Sequence, residues 1–335
     1  MLLLPLAALF SAVAAMRRAL YRMRLLPRAA MGVPVIVVGN ITAGGSGKTP
    51  LVIWLVNHLR ARGLRPGVVS RGYGGAARGC VDVDAMRSPA EVGDEPLLVH
   101  VKTGVPVVVG RDRVAAARTL LARHPGVDVI VSDDGLQHYP LHRNLELAVV
   151  DASAGLGNGW PLPAGPLREP PARLRSVDAV VQVVRGDCPP RDYGGITGWR
   201  IDTRPGQAWR LAQPQLRVAL TDLPVKKPCL AVTGIGRPQG FFDMLARAGL
   251  RCETRAFPDH HAFRPGELPV DRLLLMTEKD AVKCRSFAGT HWWAVELEIA
   301  PEAGFVAWLD QKIKAIVSRV DAREGCIDAR NRLEG

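Results

Sequence analysis

The chain of 335 residues is 47% hydrophobic and 23% charged, which excludes a largely disordered protein. Lys and Arg number 44 against 32 Asp and Glu, and the net charge of +12 favours an anionic partner: a nucleic acid, an anionic membrane surface or a phosphorylated substrate. The six cysteines are dispersed without a CxxC pair. This dispersion argues against a zinc site and a dense disulfide framework, and it favours a reducing compartment.

The first 28 residues differ in character from the rest of the chain. Residues 1–15 carry no charge, and arginines follow at positions 17, 18, 22, 24 and 28. The apolar run is shorter than the roughly 20 residues that span a bilayer, and no basic residue precedes it as in a secretory signal. We interpret residues 1–28 as a membrane-associated segment whose apolar part enters an anionic surface on the cytoplasmic side. A helix packed on the protein is the alternative.

Residues 29–190 alternate short β-branched runs with helical stretches. Fully apolar runs of this length are typical of parallel strands that are buried on both faces. The alternation therefore predicts an α/β fold with a mostly parallel sheet. The six predicted strands are Pro34–Val38, Gly67–Ser70, Val105–Val109, Val127–Ser132, Leu145–Val150 and Asp178–Val184.

Residues 191–227 are rich in Pro, Gly, Arg and Asp, and their short alternating segments predict a two-stranded linker. A second, smaller α/β domain follows at residues 228–320, and residues 321–335 form a C-terminal tail. The simplest interpretation is two α/β domains with a cleft between them. The elements predicted for the second domain are Cys229–Thr233, a helix near Phe241–Ala248, Glu253–Phe257, Leu273–Met276, Trp292–Leu297 and a closing helix from about Glu302 to Val317.

A glycine-rich turn joins the first predicted strand to an apolar helix that begins near Leu51. Its end, Gly47-Lys48-Thr49, has the form of a P-loop, in which backbone N–H groups bind phosphates, Lys48 reaches the β and γ oxygens and Thr49 binds Mg²⁺. Thr42 stands where the usual pattern has its first glycine, so a chance match is the alternative. The predicted nucleotide-binding residues are Thr42, Ala43, Gly44, Gly45, Ser46, Gly47, Lys48 and Thr49.

Two adjacent carboxylates, Asp133 and Asp134, follow the predicted strand Val127–Ser132. They lie at the carboxyl edge of a parallel sheet, where the ligands of α/β proteins bind. An apolar strand that ends in Asp is the usual partner of a P-loop lysine and holds Mg²⁺ directly or through water. Alone, the pair is more typical of a solvated turn. With the P-loop, a metal site is the better interpretation, and the division of roles between the two stays open.

Several unusual motifs occur in order along the chain, and together they resemble the tetraacyldisaccharide 4'-kinase family. They extend over about three quarters of the chain and are far more specific than a P-loop alone. The motifs are Val37-Val38-Gly39-Asn40-Ile41-Thr42-Ala43-Gly44-Gly45-Ser46-Gly47-Lys48-Thr49-Pro50, Ser70-Arg71-Gly72-Tyr73-Gly74, Gly93-Asp94-Glu95-Pro96, Asp133-Asp134-Gly135-Leu136-Gln137-His138, Gly157-Asn158-Gly159, Leu162-Pro163-Ala164-Gly165-Pro166-Leu167-Arg168-Glu169, Phe257-Pro258-Asp259-His260-His261 and Thr277-Glu278-Lys279-Asp280.

The resemblance implies an ATP- and Mg²⁺-dependent kinase that phosphorylates the 4'-hydroxyl of tetraacyldisaccharide 1-phosphate, a lipid disaccharide. The product is the bis-phosphorylated lipid A precursor, lipid IVA. It also implies a peripheral location at the cytoplasmic face of the bacterial inner membrane, and a P-loop NTPase-like domain joined by the two-stranded linker to the smaller domain. The loop of this family resembles GGxGKTP, so Thr42 no longer counts against a P-loop.

A sugar hydroxyl is a poor nucleophile, so a base has to accept its proton as the phosphoryl group arrives. The resemblance implies that Asp94 performs this task together with His260, which the carboxylate would hold near the acceptor. From the residues alone, Asp94 is an ordinary acidic helix start. His260 and His261 could likewise be a metal pair or two surface imidazoles. His261 is the alternative to His260.

Further candidates surround this predicted centre. Arg111 and Arg113 follow a strand at the same sheet edge, where one of them would neutralise charge on the transferring phosphoryl group. Two arginines at a helix start, taken alone, are more typical of solvated surface charges. Lys48 and Asp133 complete the predicted catalytic set, while Thr49, Asp133 and Asp134 form the predicted metal set. The predicted substrate-binding residues are Asn40, Tyr73, Glu95, Gln137, His138, Arg168 and Glu169.

Three further motifs can be interpreted from their local sequence. Ser70–Gly74 suits a loop that closes over the disaccharide or its 1-phosphate, and a plain flexible turn is the alternative. Gly234–Pro238 looks like a phosphate turn but lacks a following Lys-Thr, so we interpret it as a strand-to-helix connection. Thr277–Asp280 predicts a helix cap.

Other function classes explain less of the sequence. A different P-loop enzyme, such as a dethiobiotin-synthetase-like ligase or a partitioning ATPase, accounts for Lys48, Thr49 and Asp133 but leaves His260 and the N-terminal segment unused. A nucleotide-switched protein of the membrane surface would release inorganic phosphate without phosphorylating a lipid. Nucleic-acid binding fits the charge, but the 5% aromatic content and the lack of a recognised motif argue against that partner.

Overall fold

In the computed structural model of this chain, 13 strands form one sheet within the described residues, which are 3–186, 188–189, 191–193, 196, 198–224 and 229–331. Side chains are described up to residue 319. The strands are Val35–Gly39 (β1), Pro66–Ser70 (β2), Val81–Val83 (β3), Val107–Val109 (β4), Val129–Asp133 (β5), Leu145–Asp151 (β6), Ala179–Arg185 (β7), Gly198–Arg210 (β8), Gln213–Val218 (β9), Cys229–Thr233 (β10), Cys252–Ala256 (β11), Leu274–Thr277 (β12) and Trp292–Pro301 (β13).

Helices cover both faces of this sheet, as expected of strands that are buried on both sides. They are Leu4–Arg22 (α1), Lys48–Ala61 (α2), Pro89–Val92 (α3), Asp94–Thr103 (α4), Arg113–Arg123 (α5), Pro238–Arg247 (α6), Glu278–Cys284 (α7) and Ala303–Asn331 (α8). The predicted α/β fold with a mostly parallel sheet is confirmed. Each of the six strands predicted for residues 29–190 is present, and its ends differ from the prediction by at most two residues.

The strand order brings the P-loop turn and the acidic pair together at the carboxyl ends of the central strands. The order is β11-β10-β12-β13-β8-β7-β6-β1-β5-β2-β4-β3, with β9 paired to β8. Strand β1 lies between β5 and β6 and is parallel to both. Val38 of β1 is in register with Asp133 of β5, so the P-loop turn starts beside the acidic pair. Strand β3, which the sequence did not predict, adds an antiparallel edge.

The predicted linker folds as a hairpin, but its first strand is longer than the short segments predicted. Strand β8 pairs in parallel with β7 through residues 198–203 and antiparallel with β13 through residues 201–210, while β9 completes the hairpin. The linker strand therefore fuses both α/β series into one sheet. Residues 194, 195, 197 and 225–227 of the predicted linker lie outside the described residues, as do residues 332–335 of the predicted tail.

Helix α8 extends beyond the predicted domain boundary at residue 320. It follows the smaller half in the chain but packs against the P-loop half. Phe305, Leu309 and Ile313 are buried in the same hydrophobic cluster as Leu55 of α2. Burial of such side chains stabilises the folded state by about 1.5–3 kcal/mol each. The chain thus returns to the P-loop half after completing the smaller one.

Two cysteines on neighbouring strands form a disulfide that the sequence did not predict. Cys229 of β10 and Cys252 of β11 are in register, and their Cα atoms lie 4.6 Å apart. Only the parallel pairing of these strands brings the two positions together across 23 residues of sequence. One disulfide in the described part of the chain is still far from a dense framework.

Helix α1 exposes its apolar side chains. Leu6, Leu9 and Val13 are each more than half exposed, whereas Ala7 is the buried residue of the helix. The contact with the rest of the protein includes a stack between the rings of Tyr21 and Tyr139, 5.9 Å apart. By length and composition alone, α1 is long enough to cross a membrane, whereas the apolar run of residues 1–15 is shorter than a bilayer span. Membrane association of this segment stays a prediction, as does the alternative of a helix packed on the protein.

Candidate active site

The predicted nucleotide loop lies between β1 and α2. Gly44 and Gly47 have φ angles of +94° and +85°, in the left-handed region that favours glycine. Gly47 precedes the first turn of α2, so Lys48 and Thr49 stand at a helix N-terminus whose free N–H groups suit phosphate. Strand, turn and helix occur in the order that a P-loop requires. The turn therefore has the geometry of a phosphate-binding loop.

Asn40 lies beneath this loop and is fully buried. Its Nδ2 donates to Thr42 Oγ1 at 3.2 Å and to Ser46 Oγ at 3.0 Å, so it braces two hydroxyls of the loop. Its predicted role was substrate binding. The structure places the side chain directly after the end of β1, where it bonds to the loop, and substrate binding stays a prediction.

Gln137 and Glu169 extend the same support. Gln137 Nε2 donates to Asn40 O at 3.0 Å and to Glu169 Oε2 at 2.8 Å, and the Tyr139 hydroxyl donates to Glu169 Oε1. Glu169 is buried and accepts the hydrogen bonds from Gln137 and Tyr139, and its contact with substrate stays a prediction. This network ties the block around Arg168 to the P-loop, which it also joins through a backbone bond from Arg168 N to Ile41 O.

The two adjacent carboxylates have different surroundings. Asp134 accepts two hydrogen bonds from Arg168 Nη1, at 3.1 and 2.9 Å, and lies 3.5 Å from Lys48 Nζ. Burial alone would raise the pKa of Asp134, but the charges of Lys48 and Arg168 outweigh it and lower the pKa. Asp134 is therefore the carboxylate that pairs directly with the P-loop lysine.

Asp133 is completely buried. Its Oδ2 accepts a hydrogen bond from Ser70 Oγ at 3.0 Å, whereas Oδ1 has no hydrogen-bond partner. Burial raises the pKa of Asp133 to about 7, and the negative charges of Glu95 and Asp134 add to this effect. A buried carboxylate oxygen without a donor is in the state that a bound cation would relieve.

Asp94 and His260 meet although 166 residues separate them in sequence. His260 Nδ1 lies 3.0 Å from both carboxylate oxygens of Asp94. Burial would raise the pKa of Asp94, but the His260 hydrogen bond and the charge of Lys279 outweigh it and lower the pKa. The Asp94 hydrogen bond raises the pKa of His260. The pair thus has the orientation of a carboxylate that holds an imidazole.

Backbone geometry fixes both members of this pair. Asp94 begins α4 directly after Gly93, whose φ is +91°. A Cβ at Gly93 would lie 2.7 Å from Tyr73 O, so only glycine fits where the two loops approach each other. His260 itself has a φ of +59°, an uncommon value for a residue with a side chain.

The structure distinguishes the two candidate histidines. His261 points into the smaller half, where its Nε2 lies 2.8 Å from Glu267 Oε1 and its ring stacks on Phe257 at 4.7 Å. His260 faces Asp94, and its ring lies 5.1 Å from that of Tyr73. The predicted choice of His260 over His261 therefore agrees with the geometry.

The two candidate arginines also have different surroundings. Arg113 is buried and close enough to Asp133 and Asp134 for their charges to act on it; burial lowers its pKa, and the two carboxylates oppose that shift. Arg111 lines a cavity of about 190 Å³ with Arg71 and Tyr73. Arg113 is thus the arginine beside the acidic pair.

The remaining predicted residue, His138, points toward the start of α5. Its Nε2 lies 3.6 Å from Asp112 Oδ1. Burial lowers the pKa of His138 to about 4, and the charge of Arg113 acts in the same direction. The imidazole is therefore neutral near pH 7 and suited to hydrogen bonding rather than to charge pairing.

Lys279 is a residue of this centre that sequence reasoning missed. Its Nζ lies 2.9 Å from Glu95 Oε1 and 3.4 Å from both Asp259 Oδ1 and His260 Nε2. The predicted helix cap explains its neighbours, because Asp280 N donates to Thr277 Oγ1 at 3.2 Å. That cap gave no reason to consider Lys279. The occurrence of the lysine within a family motif was the signal that could have identified it.

The turn Gly234–Pro238 connects β10 to α6, as predicted. A Cβ built on Gly236 would lie 2.9 Å from Asp259 Oδ2 and 3.5 Å from Gly45 N. The smaller half therefore approaches the P-loop at this turn. The nucleotide loop thus lies close to the loop that carries Asp259 and His260.

Comparison with known proteins shows the family of this chain. The family model for tetraacyldisaccharide-1-P 4'-kinase, LpxK, matches residues 1–314. A tetraacyldisaccharide 4'-kinase from Thiobacillus denitrificans is 64% identical over 313 residues, covering 93% of this chain and 95% of the relative. One from an Azoarcus species is 52% identical over 308 residues, covering 91% and 88%.

A solved structure agrees with these relatives. The crystal structure of LpxK from Aquifex aeolicus in complex with ATP superimposes with a TM-score of 0.79 at 28% identity, covering 95% of this chain and 98% of that one. The family resemblance predicted from the motifs is confirmed, and so is the predicted activity. The chain therefore belongs to the tetraacyldisaccharide 4'-kinase family: it is a kinase of lipid A biosynthesis that phosphorylates the lipid A precursor at its 4' position.

Proposed function

We propose that this kinase transfers the γ-phosphoryl group of ATP to the 4'-hydroxyl of a tetraacyldisaccharide 1-phosphate, with Asp94 and His260 as the proton-accepting pair. The contact of His260 Nδ1 with both Asp94 oxygens at 3.0 Å carries the proposal. Glu95, next to Asp94, is close enough to Asp133 to affect its pKa, so the pair stands beside the phosphate end of the site.

The nucleotide binds with its phosphates on the N-terminus of α2. Backbone N–H groups of the loop and the ammonium of Lys48 contact the β and γ phosphates. Arg113 and Arg168 add positive charge around the acidic pair. Charge that builds up on the phosphoryl oxygens during transfer is stabilised by such fixed cations, because they need no reorganisation in a buried site.

The residues fit a magnesium ion, which Thr49, Asp133 and Asp134 would hold. The buried Asp133 Oδ1 without a partner supports this assignment. The described residues contain no cluster of three or more His, Cys, Asp or Glu placed to bind a metal. Mg²⁺ keeps several waters and uses one or two carboxylates together with substrate phosphates, so a pair is sufficient. The bound ion would neutralise charge on the β and γ phosphates.

The acceptor hydroxyl loses its proton to the Asp94–His260 pair. The lowered pKa of Asp94 keeps its carboxylate ionised at neutral pH, where it orients the imidazole through Nδ1–H. His260 Nε2, the nitrogen that faces away from Asp94, then accepts the proton of the 4'-hydroxyl. Tyr73, whose ring lies beside that of His260 and is 65% exposed, is placed to pack against the sugar.

We also propose that the enzyme works at the cytoplasmic face of the inner membrane and has no nucleic-acid partner. The exposed apolar side chains of α1 and the arginines that follow them support binding to an anionic membrane surface. An acylated acceptor is itself confined to a membrane. The same surface therefore holds both enzyme and substrate.

Incubation with Mg-ATP and tetraacyldisaccharide 1-phosphate, followed by mass analysis of the lipid, tests this function. We expect one added phosphate with the wild-type protein. Lys48→Ala should lower the rate by orders of magnitude because the variant loses the cation at the β and γ phosphates. Release of inorganic phosphate without a phosphorylated lipid would contradict the proposal and indicate a nucleotide switch.

A further inference from the structure

Lys279 connects the two halves of the protein at the predicted centre of proton transfer. It belongs to α7 of the smaller half, whereas Asp94 and Glu95 begin α4 of the P-loop half. Its ammonium lies 2.9 Å from Glu95 and 4.0 Å from Asp94. It also lies 3.4 Å from Asp259 in the loop that carries His260. One half-buried cation of α7 therefore contacts two other segments of the chain, the start of α4 and the loop that carries His260.

Lys279 has more partners than an ordinary ion pair, because several carboxylates and an imidazole surround its ammonium. Burial alone would lower the pKa of Lys279, but the charges of Glu95, Asp94 and Asp259 outweigh it and raise the pKa well above its ordinary value. The side chain is thus permanently charged. In addition, its Nζ lies 3.4 Å from His260 Nε2, the nitrogen that does not face Asp94. A lysine that only joined two helices would not need to reach the imidazole.

We propose that Lys279 is a positioning residue for phosphoryl transfer, which holds the Asp94–His260 pair in place across the two halves and keeps His260 unprotonated for catalysis. This inference rests on the proposed role of that pair. The charged or titratable groups that face His260 are Asp94 from α4, Asp259 from its own loop, Lys279 from α7 and Tyr73 from the loop after β2.

The sign of the effect follows from the charges. Asp94 and Asp259 raise the pKa of His260, whereas Lys279 lowers it. Lys279 also lowers the pKa of Asp94, and Lys283 of the same helix, whose Nζ lies 3.9 Å from Asp94 Oδ2, acts in the same direction. Loss of the ammonium therefore makes both members of the pair easier to protonate. The acidic limb of the pH profile should then move to higher pH.

Lys102 offers a matched control. It lies on α4, the helix that Asp94 begins, and also bonds α7 and β13 through Glu278 at 2.8 Å and Glu296 at 2.9 Å. Its ion pairs therefore join the same two halves and are partly buried. The ion-pair partners of Lys102 are Glu278 and Glu296, so its contacts differ from those of Lys279 with Asp94 and His260. Replacing Lys102 tests the loss of an inter-half ion pair without a change beside the imidazole.

The experiment measures kcat and kcat/KM against pH with Mg-ATP and tetraacyldisaccharide 1-phosphate for the wild type, Lys279→Met, Lys279→Gln, Lys279→Arg and Lys102→Met. We expect Lys279→Met and Lys279→Gln to lower kcat at least about tenfold and to move the acidic limb up by about one pH unit. KM for ATP should change little. Lys279→Arg should return the limb to the wild-type position because it restores the charge.

Two results would overturn the inference. An acidic limb that stays in place in both neutral variants of Lys279 would show that the lysine only supports the fold. An equal shift in Lys102→Met would assign the effect to loosening of the two halves. Melting temperatures identify a variant that fails to fold. If Lys279→Met does not fold, Lys279→Gln, which can still hydrogen bond to Glu95, provides the test.

His260→Gln separates a failure of this inference from a failure of the proposed function. If the proton-accepting pair is assigned correctly, this variant loses the acidic limb that the wild type shows. If His260→Gln retains both the limb and wild-type turnover, the pair itself is wrong and the role of Lys279 falls with it. If only the Lys279 variants leave the limb unchanged, the pair stands and the lysine does not act on it.

Discussion

At the scale of single residues, the site consists of groups whose ionisation is set by their neighbours. Asp133 and Asp134 are adjacent in sequence, yet burial raises the pKa of the first while Lys48 and Arg168 lower that of the second. Separated pKa values in adjacent acids are typical of functional sites. The same division applies to His260 and His261, since only the first faces a carboxylate of the P-loop half.

Replacement of each histidine in turn tests this division. His260→Gln should lower kcat by about 10²–10⁴-fold because the hydroxyl loses its proton acceptor. His261→Gln should retain near wild-type kcat, since His261 contacts Glu267 and Phe257 rather than Asp94. Steady-state kinetics on both purified variants measure the difference. A large loss in His261→Gln with a normal His260→Gln would reverse the assignment.

The pH profile of the wild type gives a second test at this scale. Because the hydrogen bond with Asp94 raises the pKa of His260 above its ordinary value of 6.5, the imidazole is protonated over a wider acidic range. Protonated His260 cannot accept the hydroxyl proton. We therefore expect kcat/KM to fall as the pH drops through a midpoint above 6.5. A midpoint well below that value would contradict the assignment of His260 as acceptor.

At the scale of elements, the sequence predicted what depends on local pattern and missed what depends on tertiary contact. The P-loop and the acidic pair each follow an apolar strand, so strand, turn and chemistry could be inferred together. The partnership of Asp94 and His260 could not, because it joins α4 to a loop 166 residues away, and only family resemblance suggested it. Lys279 was missed for the same physical reason.

Helix α1 is the element whose role is most open to direct test. The variant Leu6→Asp/Leu9→Asp places two charges on its exposed apolar face and should abolish sedimentation with vesicles of anionic lipid. The variant should keep its fold, because both residues are more than half exposed. Vesicles of neutral lipid should bind the wild type less, since the arginines then lack a partner.

A matched control comes from an exposed hydrophobic residue elsewhere. Met86 is 93% exposed and lies between β3 and α3. Met86→Asp adds a charge without altering α1 and should leave sedimentation unchanged. Equal loss of sedimentation in both variants would indicate a general effect of charge. Full retention in the α1 variant would show that this helix does not carry the membrane contact.

At the scale of the whole molecule, the two predicted domains share more structure than their sequence boundaries indicate. The composition of residues 191–227 indicates a linker, but β8 pairs with both β7 and β13 and makes the sheet continuous. Helix α8 then packs against α2 of the P-loop half, where His58 Nε2 lies 2.9 Å from Asp310 Oδ1. Local sequence pattern identifies a helix at this position but carries no information on which half it covers.

This continuity predicts a single cooperative unfolding transition instead of one for each half. Loss of either half would expose one hydrogen-bonding edge of β8 and the apolar residues Phe305 and Leu309 of α8. Calorimetry, combined with near-UV circular dichroism, should therefore give coincident midpoints. Mg-ATP at about 100 times its Kd should stabilise the entire transition by about 2.7 kcal/mol, because binding to one half is then linked to both. Two separate transitions, with only the first shifted by nucleotide, would show that the halves fold independently.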